Sequence, residues 1–316
     1  MKILIIRFSS IGDIVLTTPV IRCVKNQVQN AEIHFVTKKS FKNILENNPY
    51  IDKLHLLDDS FSEMVNVLKN EKFDVILDLH KNMRTLKLKL ALGVKAYSFD
   101  KLNIQKWLLV NMKINKMPNV HIVDRYLNTA KALGVINDGL GLDYFIPDKD
   151  QIDLNIYNIP ENYISFAIGG QHATKKLPND KIIEIVKNQN YTVVLLGGKE
   201  DFENGEKITS QFNDTQCINL CGKLNLNQSA FVVQQSLALI THDTGLMHIA
   251  AALKKKVLAI WGNTVPELGM YPYLTEHVNF EVKDLSCRPC SKIGFDKCPK
   301  THFKCMTSQA VEKIVG

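Results

Sequence analysis

Hydrophobic residues are spaced along this chain in two alternating rhythms. Short continuous apolar runs at 3–6, 33–36, 54–57 and 75–79 read as buried strands. Between them, residues 13–25, 40–46 and 61–70 place apolar side chains three and four apart, the spacing of an amphipathic helix. The second half repeats the scheme, with strands at 164–168, 193–196, 218–220, 237–241 and 257–261 and helices near 180–187, 202–212, 226–235 and 245–253. Strands separated by single helices imply parallel sheets with right-handed crossovers. The polar stretch 146–155 lacks any core pattern and is expected to separate two Rossmann-like domains, 1–150 and 151–316. The fold class is therefore α/β. No internal repeat or low-complexity segment interrupts the pattern.

Two strand–turn–helix junctions carry chemistry. At 237–253 an apolar strand runs into Asp243-Thr-Gly245 and then a helix whose Leu246, Ile249, Ala250 and Leu253 share one face. A helix opening at the end of a buried strand presents unpaired N–H groups and a positive dipole end, which suits a phosphate. Gly245 lets the backbone approach such a ligand closely, and His248 lies one turn after Thr244. An ordinary capped strand–helix connection fits the same residues. The second junction opens the chain: the strand at 3–6 meets Ser9, Ser10, Ile11 and Gly12, then Asp13 and a helical pattern. Junctions in opposite halves fit two nucleotide-fold domains facing one cleft.

Four segments together resemble the lipopolysaccharide heptosyltransferases, glycosyltransferase family 9: Arg-Phe-Ser-Ser-Ile-Gly-Asp-Ile-Val-Leu-Thr-Thr-Pro (7–19), Asp-Leu-His-Lys-Asn-Met-Arg (78–84), His-Ile-Val-Asp-Arg-Tyr (121–126) and Thr-His-Asp-Thr-Gly-Leu-Met-His (241–248). The first and last are the specific ones. The resemblance extends from Met1 to near Cys305 and implies the GT-B architecture, with the last helix, 308–315, packing back on the first domain. It also implies transfer of a heptose from an ADP-sugar donor to a lipid-linked anionic oligosaccharide, with inversion and without an obligatory metal. The nucleotide is expected in the second domain and the acceptor in the first.

Asp13 is the expected general base, since a carboxylate at the carboxyl edge of a first strand can take the acceptor hydroxyl's proton. The same residue would equally serve as a helix cap. Ser9, Ser10, Gly12, Lys81 and Arg84 are expected on the acceptor side. For the diphosphate the candidates are the N–H groups of Thr244 and Gly245, the Thr244 hydroxyl, His248 and a lysine. In Gly-Gly-Gln-His-Ala-Thr-Lys-Lys-Leu-Pro (169–178) the resemblance selects Lys175, with Lys176 one register away; Leu177 stands where many family members have Trp. Glu200, just past a strand, suits ribose hydroxyls or simply an acidic first helical turn. Asp243 suits orienting Lys175 or the nucleotide, or capping its helix.

Charge and cysteines modify this picture. Of the net charge of +7, +6 lies in residues 1–150, and nine basic residues between Lys81 and Lys116 accompany a single acid, Asp100. Interleaved with Leu86, Leu88, Leu90, Trp107 and Leu108, they suit an anionic lipid or glycolipid surface, or a solvated charged face. No nucleic-acid motif, stacking series or basic excess in the second half accompanies them, so nucleic acid is not an expected partner. Arg7 follows too soon for a signal peptide, and no run approaches a membrane span, so a cytoplasmic protein is expected, in peripheral contact with the inner membrane. Cys287, Cys290, Cys298 and Cys305 form a C-x2-C-x7-C-x6-C array suited to a structural zinc or iron–sulfur site or to reduced thiols, with disulfides least expected inside the cell. Cys23, Cys217 and Cys221 read as core. Rival readings are a nucleotide-sugar epimerase of the same fold and a non-catalytic nucleotide- or metal-binding protein.

Overall fold

The computed structural model describes residues 1–315. Contacts divide the chain into two units, one comprising Met1–Lys101 and Val120–Phe145, the other Leu102–Asn119 and the chain from Ile146 on. In the first unit the opening apolar run forms β1 (Lys2–Ile6), with Ile3 to Ile6 wholly buried. A strand covered on both faces must lie inside a parallel sheet, and β1 pairs parallel with its neighbours on each side. The order of elements is β1, α1 (Ile11–Val15), α2 (Thr18–Gln27), β2 (Glu32–Lys38), α3 (Lys42–Leu45), β3 (Lys53–Leu57), α4 (Phe61–Asn70), β4 (Val75–Asp78), α5 (Met83–Leu92), β5 (Ala96–Ser98) and, later, α6 (Ile122–Leu127). The sheet order is β3-β2-β1-β4-β5, every pair parallel.

The helix expected over 13–25 is two helices. Pro19 has no N–H to give to the Val15 carbonyl, and the Thr18 hydroxyl donates to that oxygen instead (2.8 Å), while the Thr17 hydroxyl donates to Ile14 O. This breaks the helix one turn after Asp13.

The second unit runs β6 (Tyr163–Ala167), α7 (Asn179–Lys187), β7 (Thr192–Leu196), α8 (Phe202–Thr209), β8 (Cys217–Asn219), α9 (Leu226–Gln235), β9 (Ala238–His242), α10 (Gly245–Ala252), β10 (Lys256–Trp261), β11 (His277–Glu281) and α11 (Lys304–Thr307). Its six strands, again all parallel, are ordered β11-β10-β9-β6-β7-β8. Renumbered within the unit this is 6-5-4-1-2-3, the Rossmann order; the first unit is the same order one strand shorter. In each sheet the connection reverses direction between the first and fourth strands, β1/β4 and β6/β9.

Val311 and Ile314, in the segment expected to pack back on the first domain, are fully buried in the second unit's own core beside Ile182, Ile185 and Val186, and Gln189 Nε2 donates to Ile314 O (2.7 Å). These apolar side chains fill the outer flank of α7, so the segment closes the sheet it follows. Segment Leu102–Asn119 also belongs here: Leu109 packs with Val265 and Leu268, and Lys113 Nζ donates to Pro289 O (2.6 Å). Among the described residues no helix is long and apolar enough to cross a membrane.

In the first unit Arg22, almost fully buried on α2, ties down the incoming loop 138–143. Its guanidinium pairs with Asp138 at 2.8 Å and with Asp143, and donates to Gly141 O (2.9 Å). The Arg22 hydrogen bond holds the Asp138 carboxyl down at about 2 against the opposing effect of burial. A folded pKa below the unfolded value of about 3.9 adds stability above that pH and loses it as pH falls toward 2. Arg22→Ala should therefore cost about 2–3 kcal/mol in urea unfolding at neutral pH. It should also flatten the loss of stability between the two pKa values; an unchanged acid slope would show that the pair does not contribute.

Candidate functional site

Both sheets bring candidate residues to their switch points. After β1 the chain turns through Ser9 and Ser10 into α1, placing Asp13 in its first turn. Asp13 Oδ2 accepts from the Ser10 N–H (3.3 Å) and the Ser10 hydroxyl (3.0 Å), so the capping role is real. The same oxygen also meets Arg7 Nη2 at 2.7 Å. Arg7 is nearly buried and donates further to Ser9 O (2.6 Å), Leu79 O (2.7 Å) and the Tyr126 hydroxyl (3.0 Å). One guanidinium thus fixes the β1 turn, the end of β4 and α6 around the carboxylate. Gly12 is buried beneath the turn, Ser9 is half-buried and Ser10 is exposed.

Across the switch point, β4 ends in Asp78, fully buried. It accepts from the N–H groups of His80 (3.1 Å) and Lys81 (2.7 Å), the Thr85 hydroxyl (2.9 Å) and Lys89 Nζ (2.8 Å). Asp78 therefore shapes the turn. His80 stands edge-on to Phe8, and burial, with the Arg7 and Lys101 charges, pushes it down to about 4, leaving it neutral at neutral pH. Its buried Nδ1 has no hydrogen-bond partner among the described residues. Lys81 is exposed, and the Arg84 guanidinium lies 5.8 Å from the Phe8 ring centroid and lines a pocket of about 380 Å³ with Lys38, Lys39, Asp58 and Asp59.

In the second unit the loop after β6 carries Lys175, and the turn after β9 carries Asp243. Lys175 Nζ meets Asp243 Oδ2 at 2.6 Å, and the Thr264 hydroxyl, from the loop after β10, donates to the same oxygen (3.0 Å). Lys176 is engaged elsewhere, with Asp201 at 2.7 Å. The two lysines that adjacency leaves ambiguous are thus separated by their acids. Asp201 Oδ2 in turn accepts from the Gly198 N–H (3.0 Å), and a side chain on Gly169 would strike that oxygen at 2.5 Å. Buried His242 accepts the Leu177 N–H at Nε2 (3.0 Å); burial pushes it down to about 4, so this acceptor is retained at neutral pH.

Thr244 stands in the cap position of α10 in extended backbone without its side chain capping the first turn; its hydroxyl lies 3.3 Å from that of Thr241. Residues 243–246 are partly exposed, and His248 is buried one turn inside. Glu200 is exposed on the turn after β7, its carboxylate against Gly198. The structure thus joins Lys175 and Asp243 directly, with Thr244, Gly245 and His248 on the adjoining helix; no hydrogen bond or ion pair among the described residues joins Glu200 to them. Sequence motifs give no role to Arg7 and Tyr126, although both lie in the quoted segments, nor to Asp201, Thr264 or Asn263; the last is buried with neither side-chain polar atom hydrogen-bonded among the described residues. Gly-Asn-Thr directly after the strand at 257–261 was the available signal for the last two.

A family model described as glycosyltransferase family 9 (heptosyltransferase) matches residues 62–299. The chain belongs to glycosyltransferase family 9. It is similar to lipopolysaccharide heptosyltransferase 1 of Campylobacter coli, 25% identical over 298 residues and covering 84% of each chain. It is also similar to lipopolysaccharide heptosyltransferase 2 of Escherichia coli K12, 22% identical and covering 84% of each. Among solved structures, a family 9 glycosyl transferase from Veillonella parvula superposes with TM-score 0.76 at 22% identity, covering 90% of this chain and 86% of that one. The E. coli ADP-heptose LPS heptosyltransferase II superposes at 0.72 with 20% identity, covering 98% of both. The fold is GT-B.

In this glycosyltransferase all seven cysteines are free thiols. Among the described residues, three ligand atoms of His, Cys, Asp or Glu gather within 4.8 Å only at His34, His55 and Glu71, and there Lys2 and Lys53 already neutralise the carboxylate. The four cysteines of the array show no such gathering; Cys287 Sγ lies 3.8 Å from His302 Nε2. Burial raises Cys23 to about 11 and Cys217, Cys221 and Cys305 to about 12. An aromatic disulfide reagent should therefore titrate Cys287, Cys290 and Cys298 in the native enzyme and the buried four only after unfolding. Simultaneous reaction of all seven would contradict the burial.

Proposed function

We propose that this family 9 glycosyltransferase moves a heptose from ADP-heptose to the inner core of lipopolysaccharide, inverting the anomeric centre. The observation that carries the reading is the Lys175–Asp243–Thr264 cluster beside the N-terminus of α10, a cation and a row of N–H groups at one switch point. Relatives named lipopolysaccharide heptosyltransferases, and a solved E. coli heptosyltransferase bound to ADP, support the donor and the acceptor class. Membership in a transferase family sets aside the epimerase and non-catalytic readings.

In the reaction the acceptor hydroxyl attacks the anomeric carbon opposite the diphosphate, and ADP leaves as the new bond forms. Asp13 takes the hydroxyl proton; the Arg7 guanidinium and Ser10 hold its carboxylate in place. Charge building on the leaving diphosphate is met by Lys175, the Thr244 and Gly245 N–H groups, the Thr244 hydroxyl and His248. Asp243 orients Lys175, and Glu200 is assigned to the ribose. Ser9, Ser10, Gly12, Lys81 and Arg84 are assigned to the anionic lipid-linked acceptor. These groups supply the charge stabilisation without a metal; zinc at Cys287, Cys290, Cys298 and Cys305 would be structural.

Two measurements test this reading. Calorimetric titration should show preference for ADP over UDP and GDP, weakened about tenfold or more by Lys175→Ala and by Asp243→Ala. Preference for UDP or GDP would discard the ADP-heptose donor. With ADP-heptose and heptose-deficient inner-core acceptor, Asp13→Asn should lower kcat by about 10²–10⁴-fold while leaving ADP affinity unchanged. A variant retaining wild-type kcat would remove Asp13 from the role of base.

A further inference from the structure

One group of ligating side chains lies away from both switch points. His34 on β2, His55 on β3 and Glu71, which closes α4, bring two ring nitrogens and a carboxylate oxygen within 4.8 Å of one another. The group sits toward the amino-terminal edge of the first sheet, beside Lys2 and Lys53, the first residues of β1 and β3. Asp13 lies at the opposite edge. Both imidazoles are buried, His34 at 1% and His55 at 5% exposure. The Phe73 ring meets each of them edge-on, at 5.2 and 6.4 Å between centroids, and fixes their planes.

A further carboxylate sets the tautomer. Glu32 Oε1 lies 2.9 Å from His34 Nε2, and because a carboxylate only accepts, Nε2 carries the proton and Nδ1 keeps its lone pair. That Nδ1 faces His55 Nε2 at 2.9 Å and Glu71 Oε2 at 3.9 Å. The two separations bracket the roughly 3.3 Å between neighbouring ligand atoms of a tetrahedral zinc ion with bonds of about 2.0–2.1 Å. We propose that His34 Nδ1, His55 Nε2 and Glu71 Oε2 form a zinc site, with Glu32 orienting the first imidazole and water as the fourth ligand. The ammoniums now on Glu71 do not bar the ion. Lys2 Nζ is 3.3 Å from Glu71 and also 3.3 Å from Glu32, so it keeps a partner. Lys53, 53% exposed, turns to solvent while the divalent charge takes its place. The ion links β2, β3 and the turn from α4 into β4, bracing the sheet that carries Asp13. The proposal does not rest on the donor, on the base or on the cysteine array.

The test is equilibrium dialysis against zinc chloride of the full chain carrying Cys287→Ser/Cys290→Ser/Cys298→Ser, which removes the accessible thiols. This parent should retain a single zinc ion that excess magnesium does not displace, since imidazole suits zinc and magnesium prefers oxygen ligands. Added to the parent, His55→Gln should abolish binding and Glu71→Gln should weaken it by at least about tenfold. Glu32→Gln should weaken it about tenfold through the imidazole it orients. Lys53→Gln should tighten it about fivefold by removing a competing charge, a gain that a merely structural histidine pair would not give. Zinc should also raise the melting temperature of the parent and not that of His55→Gln. The Glu32 and Glu71 variants preserve side-chain shape, and circular dichroism should confirm that each is folded. No zinc retained by the parent, zinc retained equally by His55→Gln and Glu71→Gln, or weaker binding by Lys53→Gln would each overturn the proposal.

Discussion

Parallel strand pairing is the constraint from which the rest of this structure follows. With every strand of a sheet running the same way, every loop after a strand emerges at one edge. Where the crossover direction reverses, the two neighbouring loops diverge and leave a crevice. In the first unit the loops after β1 and β4 border that point, bringing Ser9 to Asp13 beside Asp78 to Lys81. In the second the loops after β6 and β9 do so, bringing Lys175 to Asp243. Residues tens of positions apart in the chain meet there because Ile3–Ile6 lie in register with Val75–Asp78, and Ser165–Ala167 with Leu239–Thr241.

The two crevices have opposite electrostatic character. In the first, a carboxylate, Asp13, is surrounded by donors: a guanidinium, a backbone N–H and a hydroxyl. In the second, an ammonium, Lys175, is oriented by an acid at the mouth of a helix N-terminus. Buried His80 and His242 sit near these groups and are kept uncharged by desolvation, so neither adds a competing cation at neutral pH. A carboxylate held among donors in one unit and an ammonium held by an acid in the other give the two switch points opposite charge.

How far the sequence discloses this depends on how much of each signal is local. The strands β1 to β4 and β6 to β10 were legible because each carries a short apolar run, continuous where both faces are buried, as in β1 and β6, and shorter at the edge strands β3 and β8. β5 and β11, with no fully buried position, carry no such run. Asp13, Asp243, Thr244 and His248 could be read from motifs because turn and helix chemistry fix their neighbours. Arg7, Tyr126, Thr264 and Asp201 act through partners on other elements, a relation that appears only once the sheet is assembled. The choice between Lys175 and Lys176 is the sharpest instance. Adjacent lysines look alike in sequence, and only the positions of Asp243 and Asp201 distinguish them.

The cysteine-bearing segment after β11 acquires a place in the same logic. Arg288, largely buried, donates to Gly262 O (2.6 Å) and Thr264 O (3.0 Å) and pairs with Glu281 (2.9 Å). Seven residues on, Phe295 exchanges hydrogen bonds with Thr174, its N–H reaching the hydroxyl at 2.8 Å and its carbonyl accepting the Thr174 N–H at 3.1 Å. Thr174 precedes Lys175, and Thr264 touches Asp243, so one segment grips both sides of the lysine–aspartate pair. Gly262 permits this closeness: a side chain there would meet Met306 Cε at 2.5 Å and Thr174 O at 2.8 Å. Met306, Val311 and Ile314 then anchor the chain end in the core beneath. The tail is therefore a brace that holds the Lys175 and Asp243 loops at a fixed separation.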